Sequence, residues 1–517
     1  MKRLTLLCLA AASTAAGLYA DSPLLRCSDR TFSLPSTRYM HKIRTADSAA
    51  TVAVTDLPEG LQWNSLRKLV EGRIDSVGDY TYTVVVDGKY HVPVHLTVSR
   101  DLALPTPMMG WMSWNTVLGN VSESVMRETA DAFVDKGLRD AGYRWLGIDD
   151  DWHCGRARPA DGIAAPDSIR FPNGMKAVGD YLHDKGFKFG IYSTAADLTC
   201  DSKFGSYRYE DTDAAKYAEW GVDFLKYDYC HVPKLGIGSD KDPATAYYLY
   251  KRMNDALERT GRPIVLYMCE WGSTEPWRWA HKAGAPMWRA THDHRDGWMG
   301  RIFGDDIHKH GIGVWQALQI WPEFWAYTGV NRFSDADMLC IGIRGRGMAS
   351  SIILEGVSRD KETGIFYKDG KEYHGMSTDE AQTEFVMWCM WSSPLMLSLD
   401  ARDSISDEDL AVITNPELIA INQDAMGQCA EYVGCDFGVQ LWQKDLANGD
   451  VAIAVVNTND TPIACPIDLS RFDALDPEAT YKVRNPLART DMPDMKGATI
   501  DVIAPHAVRV MRLSKKQ

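Results

Sequence analysis

Acidic side chains follow several of the short apolar runs in the middle of the chain. Residues 149–151 are three successive aspartates after one such run, and Asp228 ends another. Further acidic or aromatic residues at comparable positions are Trp114, Tyr192, Glu270, Asp293, Asp335 and Asp337. Carboxylates that are buried without a partner are costly, so this accumulation indicates metal binding, recognition of sugar hydroxyl groups or acid–base catalysis.

Two basic side chains among these acids bear on that choice. Magnesium sites also gather carboxylates from successive strand ends. Lys226 and Arg289 lie within the same set of positions, and their positive charges would oppose a bound cation. The sequence therefore disfavours a metal site, and we expect no cofactor.

Asp228 and Asp293 end the fourth and sixth of the candidate strands. Carboxylates on opposite sides of one pocket suit a glycosidase, in which one attacks the anomeric carbon while the other protonates the leaving oxygen. Lys226 precedes Asp228 by two residues, so both side chains point to the same side of a strand. We expect its charge to keep Asp228 ionised and nucleophilic.

A barrel of alternating strands and helices would bring these strand ends together. Eight apolar segments alternate with helical stretches between residues 105 and 410, which predicts a (β/α)8 TIM barrel whose active site lies at the carboxyl ends of the strands. The candidate strands are 109–114, 143–149, 188–192, 224–228, 264–269, 287–291, 338–341 and 395–398. A doubly wound sheet is the alternative, but it would want an early glycine-rich phosphate turn, and none appears.

Both ends of the chain read as β-structure. Residues 21–101 contain alternating runs around the turn signal Asp87-Gly88, which predicts an immunoglobulin-like β-sandwich that is more often a spacer than a binder. Residues 102–107 resemble a linker. Residues 411–517 return to alternating runs and predict a C-terminal antiparallel β-sandwich.

The first twenty residues have the pattern of a secretory signal peptide. Lys2 and Arg3 precede an apolar run over residues 4–16, with cleavage expected after Gly17 or Ala20, so we expect a periplasmic or secreted protein. The run is too short to span a bilayer, and no later segment is long and apolar enough. The net charge of −14 argues against a nucleic-acid or anionic-membrane partner, and nothing indicates an oligomeric state.

Eight short motifs occur in order between residues 107 and 424. They are PMMGWMSW at 107–114, IDD at 148–150, GIY at 190–192, LKYDYC at 225–230, CEWG at 269–272, WR at 288–289 followed by Asp293, ADM at 336–338 and IAINQD at 419–424. In this order and spacing they resemble glycoside hydrolase family 27, the α-galactosidases and α-N-acetylgalactosaminidases. The resemblance covers about residues 105–515.

The resemblance implies a role for each motif residue. Asp228 would be the nucleophile and Asp293 the general acid/base of a retaining, exo-acting enzyme. The sugar would be held by Trp114, Asp149, Asp150, Tyr192, Lys226, Glu270, Arg289 and Asp337. Cys200 and Cys230 would form a disulfide, whereas Cys269 lacks its usual partner and would be free.

Two departures from the family pattern affect the site. A second carboxylate, Asp296, lies three residues after Asp293, although the spacing from Arg289 favours Asp293 as the acid. About thirty residues between 346 and 373 extend the loop after the seventh strand, on the active-site face, where they should shape the leaving-group side.

The resemblance favours α-galactosidase activity and leaves three alternatives. A β-L-arabinopyranosidase would act on a sugar without the C6 hydroxymethyl group, but the short acids Asp149 and Asp150 leave room for C6. An α-N-acetylgalactosaminidase would need space for the 2-acetamido group, which Glu270 should fill. A noncatalytic sugar-binding protein would not need both carboxylates.

Overall fold

The computed structural model describes residues 20–233, 241–300, 311–346, 357–359, 366–368, 370–372 and 374–516. Residues 30–98 form two small sheets. Their strands are β1 (Arg30–Ser33), β2 (Arg38–Lys42), β3 (Val52–Thr55), β4 (Leu61–Asn64), β5 (Leu69–Arg73), β6 (Gly78–Val86) and β7 (Tyr90–Val98). The sheet orders are β1-β7-β6-β3 and β2-β5-β4. Asp87 and Gly88 have φ angles of 54° and 63°, as the predicted hairpin turn between β6 and β7 requires.

The central region contains a sheet of eight parallel strands. Its strands are β8 (Met109–Met112), β9 (Trp145–Gly147), β10 (Lys188–Thr194), β11 (Phe224–Asp228), β12 (Val265–Cys269), β13 (Met287–Arg289), β14 (Phe333–Asp335) and β18 (Leu395–Leu397). Three short strands, β15 (Val357–Arg359), β16 (Phe366–Lys368) and β17 (Lys371–Glu372), intervene before β18. The order β14-β13-β12-β11-β10-β9-β8-β18 is that of a TIM-like half-barrel, and a parallel bridge between Leu339 and Leu397 connects its two edges.

Helices alternate with these strands, and several begin at residues with side chains that cap a helix. They are α1 (Trp114–Val117), α2 (Glu123–Asp135), α3 (Leu138–Ala141), α4 (Gly174–Asp184), α5 (Glu210–Glu219), α6 (Pro243–Arg259), α7 (Val314–Ile320), α8 (Thr378–Met390), α9 (Asp407–Ile413) and α10 (Pro416–Asn422). Asp242 caps α6 with a proline in the next position, and Ser377 forms a capping box with Glu380 at the start of α8. None of the described helices is long and apolar enough to cross a membrane.

The prediction for the seventh strand was wrong. The strand is β14, and residues 338–341 follow it as an irregular segment with a single bridge at Leu339. Residues 338–341 are apolar and buried, so they carry the same pattern as a buried strand. Hydrophobicity alone does not distinguish the two, because a buried loop and a buried strand both read as short apolar runs.

The last region consists of antiparallel sheets, as the sequence predicts. Its strands are β19 (Glu431–Asp436), β20 (Val439–Asp445), β21 (Val451–Asn457), β22 (Ile463–Asp468), β23 (Tyr481–Asn485), β24 (Thr490–Met495), β25 (Ala498–Ile503) and β26 (Val508–Lys515). Six of them form one sheet in the order β19-β20-β21-β26-β23-β24, and β22 pairs with β25. Alternate residues of this region pack into a core of their own.

Ion pairs attach the N-terminal sheets to the last region. The Arg67 guanidinium lies 2.7 Å from Asp445, and the Lys42 ammonium lies 2.9 Å from Glu431. None of the described residues that line the cavity at the carboxyl ends of the parallel strands belongs to the N-terminal sheets.

Candidate active site

A cavity of about 260 Å³ opens at the carboxyl ends of the parallel strands. Nine of the ten residues predicted to bind the sugar or catalyse line this cavity: Trp114, Asp149, Asp150, Tyr192, Lys226, Asp228, Arg289, Asp293 and Asp337. Among the described residues the wall is completed by Asn115, Cys200, Cys230, Cys269, Trp271, His292, Arg295 and Met338. Residues up to 224 positions apart in the sequence, Trp114 and Met338, thus meet because parallel strands end on one side of the sheet.

One buried ion pair spans the β9 and β11 side of the cavity. The Lys226 ammonium donates to Asp149 Oδ2 at 2.7 Å, and both side chains are buried. Burial alone would lower the pKa of Lys226, but the nearby negative charges, of which Asp149 contributes most, together outweigh it and raise that pKa. Lys226 is therefore committed to Asp149.

The Asp228 carboxylate is held by hydrogen bonds at the end of β11. Tyr192 Oη donates to Oδ2 at 2.9 Å, and the Tyr229 backbone N–H donates to Oδ1 at 2.7 Å. Burial raises the pKa of Asp228 to about 6, although Lys226 and these donors lower it. Lys226 thus lowers the pKa of Asp228, as predicted, but burial raises that pKa by more.

Backbone N–H groups hold the Asp150 carboxylate; His153 Nδ1 lies 3.8 Å from its Oδ1, and burial holds the pKa of His153 well below its usual value. Its Oδ2 accepts from the Asp201 N–H at 2.9 Å and its Oδ1 from the Asp151 N–H at 2.7 Å. Burial raises the pKa of Asp150 to about 7. This carboxyl can therefore either donate or accept a hydrogen bond near neutral pH.

Two arginines bracket Asp293, beyond the end of β13. Arg289 lies 3.1 Å from Asp293 Oδ1 and 2.8 Å from Asp337, and Arg295 lies 3.1 Å from Asp293 Oδ2. Burial would raise the pKa of Asp293, but the guanidinium groups of Arg295 and Arg289 outweigh it and lower that pKa. The Asp293 side chain is 47% exposed, so it faces the open part of the cavity. Sequence reasoning missed Arg295, because no strand pattern extends into this loop.

Asp296, the second candidate acid, has a structural position. It is buried, and its carboxylate accepts from the Gly345 N–H at 2.7 Å and the Met376 N–H at 2.9 Å. It does not belong to the described lining of the cavity. The spacing argument for Asp293 therefore agrees with the structure.

The prediction that Glu270 faces the sugar is wrong. Glu270 is fully buried outside the described lining of the cavity, and Oε2 accepts two hydrogen bonds from Thr274. The chain turns directly after β12, and Trp271 has a φ of 61° there. Cys269 and Trp271, on either side of Glu270, are the ones that line the cavity. The Trp271 ring lies parallel to His292 with centroids 6.0 Å apart. The strand pattern ends at Cys269, so it does not predict the direction of the Trp271 side chain.

The predicted disulfide is present in the wall of the cavity. Cys200 and Cys230 are bonded, with Cα atoms 5.2 Å apart, and Cys269 is a free thiol, as expected. Cys200, Asp228 and Cys230 also lie close enough together to suggest a metal. The disulfide, however, leaves Asp228 as the sole ligand of that group.

Comparison with known proteins identifies the family. A family model described as Alpha galactosidase A matches residues 106–353 and 371–424, and one described as Alpha galactosidase C-terminal beta sandwich domain matches residues 436–513. The chain belongs to the α-galactosidase family. It is therefore a glycoside hydrolase, and the resemblance to family 27 is confirmed.

Relatives within this α-galactosidase family cover most of the chain. Alpha-galactosidase A of Cellvibrio japonicus (strain Ueda107) is 35% identical over 370 residues, which are 71% of this chain and 79% of the relative. A crystal structure from Bacteroides fragilis NCTC 9343, provisionally described as an α-galactosidase, is 33% identical, has a TM-score of 0.70 and covers 96% of this chain and 98% of its own. The Saccharomyces cerevisiae α-galactosidase with raffinose is 25% identical, has a TM-score of 0.68 and covers 80% and 98%.

The buried position of Glu270 predicts that Glu270→Gln flattens the pH dependence of stability. Burial raises the pKa of the Glu270 carboxyl to about 8, so the folded protein holds a proton that the unfolded chain releases from about pH 4.5 upward. Wild-type stability should then fall as pH rises from about 4.5 to 8, by on the order of 1 kcal/mol for each pKa unit. Glutamine does not ionise and keeps an oxygen for Thr274.

Urea unfolding at pH 5 and pH 9 measures this effect. The stability of Glu270→Gln relative to wild type should increase with pH, whereas Glu128→Gln, at a side chain that is 61% exposed, should show no such trend. A difference between Glu270→Gln and wild type that is the same at both pH values would contradict the prediction.

Proposed function

We propose that the protein is an exo-acting α-galactosidase that hydrolyses terminal α-D-galactosyl residues with retention of configuration. One observation carries the proposal: Asp228 and Asp293 face a single small cavity whose wall also contains acids, bases and aromatic rings suited to binding a sugar. A cavity of about 260 Å³ suits one sugar ring rather than a chain, which favours attack at a chain end. No residue of this mechanism calls for a cofactor.

The reaction follows a double displacement. Asp228 attacks C1 while the bond from C1 to the leaving oxygen breaks, and Asp293 donates its proton to that oxygen. Asp293 then removes a proton from water, whose oxygen attacks C1 and releases Asp228. The hydrogen bonds from Tyr192 and the Tyr229 N–H hold the Asp228 carboxylate and direct it into the cavity.

The glycone contacts favour galactose. Asp149 and Asp150 would accept from the O4 and O6 hydroxyl groups, and Lys226, already paired with Asp149, would donate to the same edge of the sugar. Trp114 offers an apolar face to the sugar C–H groups. The short side chains of the acidic pair leave space at C6, which favours galactose over L-arabinopyranose.

The stacked pair of Trp271 and His292 bears on the substituent at C2. These rings occupy the wall where Glu270 was expected, next to Arg289. We infer that Trp271, and not Glu270, excludes a 2-acetamido group. The preference for galactose over N-acetylgalactosamine then depends on an aromatic wall.

We also propose the finer division of the chain and its export. The two small N-terminal sheets support an immunoglobulin-like sandwich over residues 21–101, and the Leu339 bridge supports a complete (β/α)8 barrel over residues 105–410. Residues 411–517 would form the C-terminal sandwich.

Residues 1–20 would be a signal peptide, and the protein would be periplasmic or secreted. Residues 1–19, and most of the loop over 346–373, lie outside the described residues. N-terminal sequencing of protein recovered outside the cytoplasm should begin at Leu18 or Asp21, whereas an intact Met1 there would contradict export by cleavage.

Azide rescue should separate the two catalytic roles. Asp293→Ala keeps the nucleophile, so a substrate with a dinitrophenolate leaving group should form a glycosyl-enzyme that accumulates. Azide needs no deprotonation and should release it as α-galactosyl azide. Asp228→Ala can form no such intermediate, and azide entering from the opposite face should give the β-azide.

The anomer of the azide product decides the assignment. Asp296→Ala is the matched control and should neither accumulate the intermediate nor give an azide product, because Asp296 bonds to backbone N–H groups outside the cavity. A β product from Asp293→Ala would exclude the proposed roles.

Trp271→Ala should relax selectivity at C2. Removal of the indole opens the wall, so the activity on α-N-acetylgalactosaminide relative to α-galactoside should rise by about tenfold or more. Glu270→Gln, behind the same wall, should leave that ratio unchanged. If Glu270→Gln changed the ratio and Trp271→Ala did not, the assignment of Trp271 to the wall at C2 would be wrong.

A further inference from the structure

We propose that Arg295 binds an anionic group on the aglycone. The preferred substrates would be α-galactosides whose leaving alcohol carries a carboxylate or sulfate close to the glycosidic oxygen. This inference rests on the proposed α-galactosidase function and adds the chemical class of the leaving group.

Arg295 lies on the side of the cavity where the leaving group must depart. Its Nη2 is 3.1 Å from Asp293 Oδ2, and Asp293 is the group that would protonate the leaving oxygen. The side chain lines the cavity but is only 8% exposed in total, so it is largely removed from water. Its Nε is buried and has no hydrogen-bond partner. The guanidinium is therefore not saturated by the described part of the protein, although buried donors are normally paired.

The charges around the cavity make Arg295 different from the other two basic side chains. Lys226 is paired with Asp149, and Arg289 is paired with Asp337 at 2.8 Å. These two pairs persist whatever happens at Asp293. Among the described residues, Arg295 forms an ion pair with Asp293 alone. The charge of Arg295 is therefore compensated only while Asp293 is ionised.

That dependence creates a problem in the first step of the reaction. Asp293 must be protonated before it can protonate the leaving oxygen, and a neutral Asp293 leaves Arg295 without a counter-charge. A buried cation without a partner is costly. An anionic substituent on the aglycone would replace the lost carboxylate, because it would enter the cavity beside the same guanidinium.

The exchange of partners also favours the acid form of Asp293. Arg295 and Arg289 lower the pKa of Asp293, and an anion on Arg295 would offset part of that effect. Asp293 would take a proton from solvent and pass it to the glycosidic oxygen as the C1–O bond breaks and the bond from Asp228 to C1 forms. The other titratable or charged groups around the cavity near Asp293 are Lys226, Asp228, Cys269, Arg289, His292 and Asp337. Binding of the anion leaves the pairings of Lys226 and Arg289 unchanged.

Two small substrates of equal size test this idea. Carboxymethyl α-D-galactopyranoside and 2-hydroxyethyl α-D-galactopyranoside differ in the charge of the aglycone, and 2-sulfatoethyl α-D-galactopyranoside extends the comparison to a sulfate. For the wild type, kcat/KM should be at least about tenfold higher for each anionic substrate than for the hydroxyethyl one, as expected of a charge-assisted bond. Preference for one anion alone would still support the proposal and would identify which group the site takes.

Variants assign the preference to Arg295. Arg295→Met should bring the anionic to neutral ratio close to one, and Arg295→Lys, which keeps the charge, should retain part of it. Arg402→Met removes a different arginine, paired with Asp400 outside the cavity lining, and should leave the ratio at the wild-type value. In the wild type the basic limb of the kcat profile, which reports the enzyme–substrate complex, should also lie at higher pH for the carboxymethyl than for the hydroxyethyl substrate.

The outcomes separate this inference from the proposed function. Equal kcat/KM for the neutral and anionic substrates in the wild type, or an unchanged ratio in Arg295→Met, would overturn the role of Arg295. Failure of the wild type on all of them and on 4-nitrophenyl α-galactoside would overturn the α-galactosidase function itself. If Arg295→Met does not fold, inhibition of the wild type by glycolate but not by ethylene glycol supports the anion site, and equal inhibition refutes it.

Discussion

Charge compensation among buried side chains is the constraint on which the site depends. Among the described residues, five carboxylates line the cavity together with one lysine and two arginines. Lys226 on β11 reaches Asp149 beyond β9, and Arg289 on β13 reaches Asp337 beyond β14. Each pair therefore connects different strands and fixes the direction of both side chains. Removal of one partner would leave an uncompensated buried charge, which typically costs about 3–5 kcal/mol.

Uneven compensation divides the acids of the cavity into two kinds. Asp149 and Asp337 are held in ion pairs that no step of the reaction needs to break. Asp228 instead relies on hydrogen bonds from Tyr192 and a backbone N–H, which orient the carboxylate without covering it with a cation. Asp293 is the most accessible acid, at the open part of the cavity. The mechanism assigns bond making to Asp228 and proton transfer to Asp293, whereas Asp150, which also has uncharged backbone partners, would accept from a sugar hydroxyl group.

The sequence predicted most of this arrangement because strand ends converge in a parallel sheet. Phe224–Asp228 has the predicted bounds, and its charged side chains Lys226 and Asp228 both line the cavity. The seventh strand was misplaced because buried residues 338–341 have the same composition as a strand while making a single bridge. Glu270 was misassigned because the motif was recognised as a unit, whereas the chain turns after β12 and brings Trp271, not Glu270, into the cavity.

Arg295 shows where sequence reasoning ends. It lies beyond β13 in an irregular segment, so neither helical nor strand periodicity predicts the direction of its side chain. Its position follows from the tertiary path of the chain, in which the Arg295 N–H donates to the Ile312 carbonyl at 2.9 Å. Long-range contacts of this kind have no local signal, and a residue type alone does not reveal them.

The electrostatics of the free site suit the second half of the reaction better than the first. Asp293 must be neutral to protonate the leaving oxygen, yet its two arginines favour the ionised form. Once Asp228 is esterified by the sugar, its negative charge is lost, and the loss of a nearby like charge further favours ionisation of Asp293. The carboxylate is then in the state that removes a proton from water. The two arginines thus oppose Asp293 as an acid and favour it as a base. The step that needs help from the substrate is therefore the first one, in which the leaving group is still bound.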